Sequence, residues 1–183
     1  MFLQQLHYIK AFVFDVDGVL TDGTVHVTES GEQLRQFSIK DGYALQLAIK
    51  RGYHISIISG GRSNGVALRL RGLGIQDIHL GAESKIDIYN EFIINNDLKA
   101  EEVIYMGDDI PDLPVMKLVG LPVCPSDAVE EIKAVSKYIS PIAGGKGCVR
   151  DIIEKVLKIQ NKWYDPTPSA HDGSINTDET HTL

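Results

Sequence analysis

Ala11-Phe12-Val13-Phe14-Asp15-Val16-Asp17-Gly18 sets four unbroken apolar residues directly against two carboxylates and a glycine. The apolar run has the length and composition of a strand buried on both faces, and the change of character at Asp15 marks where that strand opens into a loop. Residues 54–58, 103–106 and 121–123 repeat the pattern. Between these runs, residues 42–50, 63–71, 85–94 and 126–137 carry apolar side chains at helical spacing, as in Ile86, Tyr89, Phe92 and Ile93. Alternating strands and helices predict an α/β fold, a doubly wound, mostly parallel sheet of Rossmann type, whose ligands sit beyond the carboxyl ends of the strands. One segment breaks the alternation. Residues 24–37 read as a β-hairpin inserted straight after the first strand, with Glu29-Ser30-Gly31-Glu32 at its turn.

A chain of 183 residues fits one domain, here 1–162, followed by a tail at 163–183; from Asp165 onward the tail is poor in large apolar groups and is expected to be disordered. His171 and His181 in it read as surface histidines. The formal charge of −7 and the pI near 5.3 argue against a nucleic-acid partner, which would require clustered Lys and Arg. No apolar run approaches the ~20 residues of a membrane span, and residues 1–10 lack the plan of a signal peptide, so no membrane partner and a cytoplasmic location are expected. Cys124 and Cys148 have no metal-type spacing and read as reduced, partly buried thiols.

Polar residues gather at the ends of the apolar runs. Asp15 and Asp17 stand at i and i+2, so both can face one site. The second run ends in Ser59-Gly60-Gly61, where a hydroxyl and glycine-freed N–H groups suit a phosphate, although Ser59 also reads as a helix cap. Lys85 opens the helix after Gly81, as a neutralising cation or a solvated surface charge. The third run ends in Gly107-Asp108-Asp109-Ile110-Pro111-Asp112, a carboxylate loop that suits a hard cation and also suits a capped, solvated turn.

In this order the four fragments resemble motifs one to four of the haloacid dehalogenase superfamily of phosphotransferases, over about residues 11–155. The resemblance implies a haloacid dehalogenase-like core and a magnesium-dependent phosphatase in which Asp15 attacks phosphorus and Asp17 serves as acid, then base. It further implies that Ser59, Gly60 and Lys85 hold the phosphoryl group. Mg²⁺ would be held by Asp15, the Asp17 carbonyl and Asp108, with Asp109 and Asp112 in support. No room is left for a cap domain. In closer detail, Asp15 to Gly23, the hairpin, Lys40-Asp41-Gly42, Arg69 before Leu73-Gly74-Ile75, and Gly144-Gly145-Lys146-Gly147 resemble the 3-deoxy-D-manno-octulosonate 8-phosphate phosphatases. That likeness implies a sugar acid phosphate substrate, a precursor of lipopolysaccharide, and a homotetramer in which neighbouring subunits complete each site.

The chain departs from the family's usual Thr-Gly-Arg by having Ser59-Gly60-Gly61 with Arg62 one place later. Relatives acting on nine-carbon substrates carry an acidic residue where Gly61 stands, so its absence favours the eight-carbon acid. Arg62, Arg69 and Lys146 are candidates to pair with the substrate carboxylate. Competing readings are a phosphatase for another monoester, a noncatalytic scaffold, and a receiver-like phosphorylation switch. Asp17 argues against the switch, because an acid/base two residues from the phosphate acceptor promotes hydrolysis.

Overall fold

The computed structural model describes residues 2–164. In chain order the elements are α1 (Phe2–Gln5), β1 (Ala11–Phe14), β2 (His26–Val27), β3 (Gln33–Leu34), α2 (Ile39–Lys50), β4 (His54–Ser59), α3 (Asn64–Gly72) and β5 (Asp77–Leu80). Then follow α4 (Lys85–Asn95), β6 (Val103–Met106), α5 (Leu113–Met116), β7 (Leu121–Cys124), α6 (Glu130–Val135), β8 (Tyr138–Ile139) and α7 (Cys148–Ile159). Six strands form one sheet in the order β5-β4-β1-β6-β7-β8, every pair parallel. The chain winds outward from β1 to β5, then returns to β6 on the other side of β1. The carboxyl ends of β1 and β6 therefore flank the switch point, where a doubly wound sheet leaves a crevice.

The unbroken apolar runs find their explanation in two cores. Phe12 and Phe14 point to one face, packed with Leu45 of α2, Leu70 of α3 and Ile152 and Val156 of α7. Ala11 and Val13 point to the other, with Tyr89 and Phe92 of α4, Val115 of α5 and Ile132 of α6. Both faces of β1 are thus removed from water, and each fully buried large side chain contributes roughly 1.5–3 kcal/mol. Both cysteines are free and fully buried, deeper than expected, because Cys124 ends a central strand and Cys148 starts α7 with its Sγ against the Val19 carbonyl at 3.3 Å.

The four expected strands and four expected helices are present; β1 and β6 have the expected bounds and the others have shifted ends. Helix α2 starts earlier than residue 42, because Ser38 caps it by accepting from Asp41 N–H at 3.3 Å. Helix α6 is shorter than 126–137; Val129 is extended at its start and residues 125–129 turn instead. Strand β8 and helices α1 and α5 were not anticipated. The hairpin is a separate two-stranded sheet of two residues per strand, with Val27 and Leu34 exposed.

The Gly144–Gly147 loop packs on the first strand's loop, with Gly145 N–H donating to the Val19 carbonyl at 2.9 Å. Past residue 162, Trp163 lies edge-on to Tyr43 at 6.3 Å and beneath the Arg150 guanidinium at 5.1 Å. The expected disordered stretch, with His171 and His181, lies outside the described residues. No helix among those described is long and apolar enough to cross a membrane.

Candidate active site

An open cleft of about 570 Å³ lies over the switch point, lined by residues that include Asp15, Asp17, Ser59, Lys85, Asp108 and Asp109. Each arrives there for a local reason. Asp15 is the first residue past β1, extended, its Oδ1 accepting from Val16 N–H at 2.6 Å. The chain then turns at Gly18, whose φ of 84° is in the left-handed region that favours glycine. A Cβ at Gly18 would also collide with the Asp108 carboxylate, so this glycine lets the loops after β1 and β6 close on each other. Ser59 ends β4, and its Oγ accepts from Gly61 N–H at 3.2 Å.

Lys85, the first residue of α4, is almost wholly buried and bridges two carboxylates: Asp15 Oδ2 at 2.8 Å and Asp112 Oδ1 at 2.7 Å. Asp112 is fully buried and saturated. Its Oδ1 also accepts from the Tyr105 hydroxyl at 2.7 Å, and its Oδ2 accepts from Asp108 N–H at 3.1 Å and Asp109 N–H at 3.4 Å. Asp112 is therefore the hub that fixes both Lys85 and the loop carrying Asp108. Asp109 caps the short turn at Ile110–Asp112, accepting from Ile110 N–H at 2.8 Å.

The electrostatics follow from burial. Burial and then repulsion from Asp112 raise the Asp15 carboxyl to about 6, against the pull of Lys85. Burial, followed by repulsion from Asp112, Asp15 and Asp109, raises Asp108 to about 7. Burial works against the Lys85 charge, yet Asp15 and Asp112 outweigh it and hold the ammonium above its ordinary range. One lysine thus faces three carboxylates, an imbalance that a divalent cation would correct.

The donors fit such an ion. Asp15, Asp108 and Asp112 each offer an oxygen within 4.8 Å of the others, and Asp108 Oδ1 is buried without a hydrogen-bond partner among the described residues. An all-oxygen set suits a hard cation. Because Asp112 is already engaged four times, Asp15 and Asp108 are the side chains left to hold it.

Asp17 has a different neighbourhood. Its side chain is 37% exposed, and Arg35 pairs with it, Nε to Oδ1 at 2.7 Å. Arg35 escaped the sequence reading; the available signal was that it is the one Lys or Arg in residues 24–37. The candidate cations for a carboxylate lie elsewhere. Arg62 lies across Gly81, Arg69 lies against Gly42, and Lys146 pairs with Asp22 at 3.3 Å; none lines the cleft of its own chain.

A family model of haloacid dehalogenase-like hydrolases matches residues 68–150. The 3-deoxy-D-manno-octulosonate 8-phosphate phosphatase of Yersinia pestis is 34% identical over 160 residues, covering 87% of this chain and 86% of that protein. The chain belongs to this family of haloacid dehalogenase-like hydrolases. Its fold agrees with that of solved relatives. The crystal structure of the Yersinia pestis phosphatase superposes with a TM-score of 0.86 at 34% identity, covering 88% of this chain and 87% of the other. That of the Moraxella catarrhalis phosphatase, in complex with magnesium ion, phosphate ion and a KDO molecule, gives 0.85 at 34% identity, with 88% and 92% covered. As in a capless phosphatase, a short helical turn at Val16–Leu20 and the hairpin are all that separate β1 from α2, and only α3 separates β4 from β5.

Proposed function

We propose that this chain hydrolyses 3-deoxy-D-manno-octulosonate 8-phosphate to the sugar acid and phosphate, with Mg²⁺, through a phosphoryl group carried on Asp15. The observation that supports it most is the Lys85 bridge between Asp15 and Asp112 beside the unpartnered Asp108 oxygen. It presents one buried carboxylate, a cation held in register with it, and a place for a metal in one open cleft. When bound between Asp15 and Asp108, Mg²⁺ would offset the charge of the phosphate dianion and of the carboxylates it must approach.

The chain's own groups supply the rest. An Asp15 oxygen forms a bond to phosphorus as the bond from phosphorus to the sugar oxygen breaks, and Asp17 gives its proton to that departing oxygen. Asp17 then takes a proton from the water that attacks phosphorus, which frees phosphate and regenerates Asp15. Lys85 holds Asp15 and faces the transferring oxygens, and Ser59 and Gly60, which line the same cleft, provide further donors. Asp109 and Asp112 keep the loop in place.

The open cleft supports a homotetramer in which neighbours complete the site, since Arg62, Arg69 and Lys146 do not reach the cleft of their own chain. In such an assembly these are the residues we assign to the substrate carboxylate, and Gly61 is consistent with the eight-carbon acid. The biosynthetic step belongs to the cytoplasm.

The reading is tested by phosphate release from a panel of eight- and nine-carbon keto-sugar acid phosphates, hexose phosphates, nucleotides and a phosphopeptide, with Mg²⁺ present or chelated. Preference for the eight-carbon acid, lost on chelation, is expected. Preference for a nine-carbon acid would move the substrate assignment, and metal-independent release would contradict the mechanism.

A further inference from the structure

Arg35 lies outside the four motifs, and the inference drawn from it rests on the phosphatase reading above. Its side chain is 7% exposed, although the hairpin strands beside it are open to solvent. Nε donates to Asp17 Oδ1 at 2.7 Å and Nη2 to Asp17 Oδ2 at 3.3 Å, the two-point engagement of a planar fork with a carboxylate. A further donor, Nη1, reaches the Gln33 carbonyl at 3.4 Å and steadies the fork on its own strand. Arg35 lines a narrow crevice together with Val16, Asp17, Ser59, Gly61 and Val66. Gly61 makes the room: a Cβ there would lie 3.0 Å from Asp17 Oδ2 and 3.7 Å from Arg35 Nη2.

A guanidinium withdrawn from water requires a partner, and here that partner is the group assigned the proton transfer. We infer that Arg35 is a positioning residue for Asp17. It anchors Oδ1 by the short bond and leaves Oδ2, on the longer one, to carry the proton toward the departing oxygen. In that step the Oδ2–H bond breaks, the proton joins the leaving oxygen, and that oxygen keeps the electron pair of its broken bond to phosphorus. The hairpin is thereby part of acid catalysis as well as of the surface.

The test compares kcat/KM for an alkyl ester, the sugar acid phosphate or whichever sugar phosphate the wild type prefers, with kcat/KM for p-nitrophenyl phosphate. That parameter runs through departure of the leaving group, and p-nitrophenolate departs without a proton. In Arg35→Gln, alkyl ester turnover should fall about tenfold or more and aryl ester turnover less than about threefold, the asymmetry that Asp17→Asn should also display. Arg35→Lys, which keeps one contact as a point charge, should recover part of the loss. Equal losses on both esters, or none on either, in folded variants checked by circular dichroism would overturn the assignment. A wild-type protein that hydrolyses neither ester would instead overturn the phosphatase reading, and this inference with it.

Discussion

Asp15 and Asp17 stand two residues apart, yet one is held by the floor of the molecule and the other by its rim. Asp15 is held by Lys85 from the start of α4, and Lys85 in turn is held by Asp112 from the turn after β6, whose carboxylate accepts from Tyr105 of β6 itself. Around Asp17 the partner is Arg35, carried on a hairpin of two short exposed strands. The floor is dry and over-determined, suited to a nucleophile that must meet phosphorus in one orientation. The rim is half open, suited to a group that exchanges protons with a leaving oxygen and then with water.

The comparison predicts that damage to the floor exceeds damage to the rim. Asp15→Asn should lower turnover at least about 10³-fold, which is about 4 kcal/mol of barrier, while the variant stays folded; steady-state rates beside a thermal melt check both. Lys85→Met should lower turnover about 10²–10³-fold. Because it leaves Asp15 and Asp112 facing each other without a cation, it should also cost about 3–5 kcal/mol in urea unfolding. A Lys85 variant of unchanged stability would show that the floor is less tightly built than its distances indicate.

A subtler effect separates the two regions by pH. Asp15 and Asp108 bind protons more tightly when folded, at about 6 and about 7 against an ordinary 3.8. Their contribution to stability is therefore full below the ordinary value and lost as pH rises through 6 and 7. Metal-free protein should melt roughly 3 °C or more lower at pH 8 than at pH 5 from this source, and Mg²⁺ should raise the melting temperature more at pH 8 than at pH 5. Asp108→Asn should flatten both differences in calorimetry. The smallest effect belongs to the hairpin surface: Val27→Asp should change the stability of the single chain by no more than about 0.5 kcal/mol. It should weaken assembly in light scattering if the hairpin joins subunits, and leave the mass unchanged if it does not.

The floor was legible in the sequence, and so were Asp17 and the hairpin of the rim, but not the Arg35 contact that joins them, for a physical reason. Strands buried on both faces announce themselves as apolar runs, and their abrupt polar endings pointed to Asp15, Ser59 and Asp108. Strand β5, Asp77-Ile78-His79-Leu80, is a half-buried edge strand whose mixed composition gives no such run, and β8 is only two residues long. Asp112 could be read as support but not as the hub, since Lys85 is 27 residues away and meets it only through the packing of α4 beside β6. Arg35 meets Asp17 across 18 residues through the fold of the hairpin, and no local pattern encodes that pairing. Arg62, Arg69 and Lys146 were named because an anionic substrate needs a cation, which is a chemical requirement without an address; in one chain each lies off the cleft.

The most direct test of the account is rapid acid quench of the Mg²⁺-loaded protein with the sugar acid phosphate labelled on phosphorus, followed by mapping of any labelled peptide. Acid-stable label is expected on the peptide that contains Asp15, present in the wild type and absent in Asp15→Asn. Release of phosphate at full rate with no protein-bound label, or with label that persists in Asp15→Asn, would contradict it.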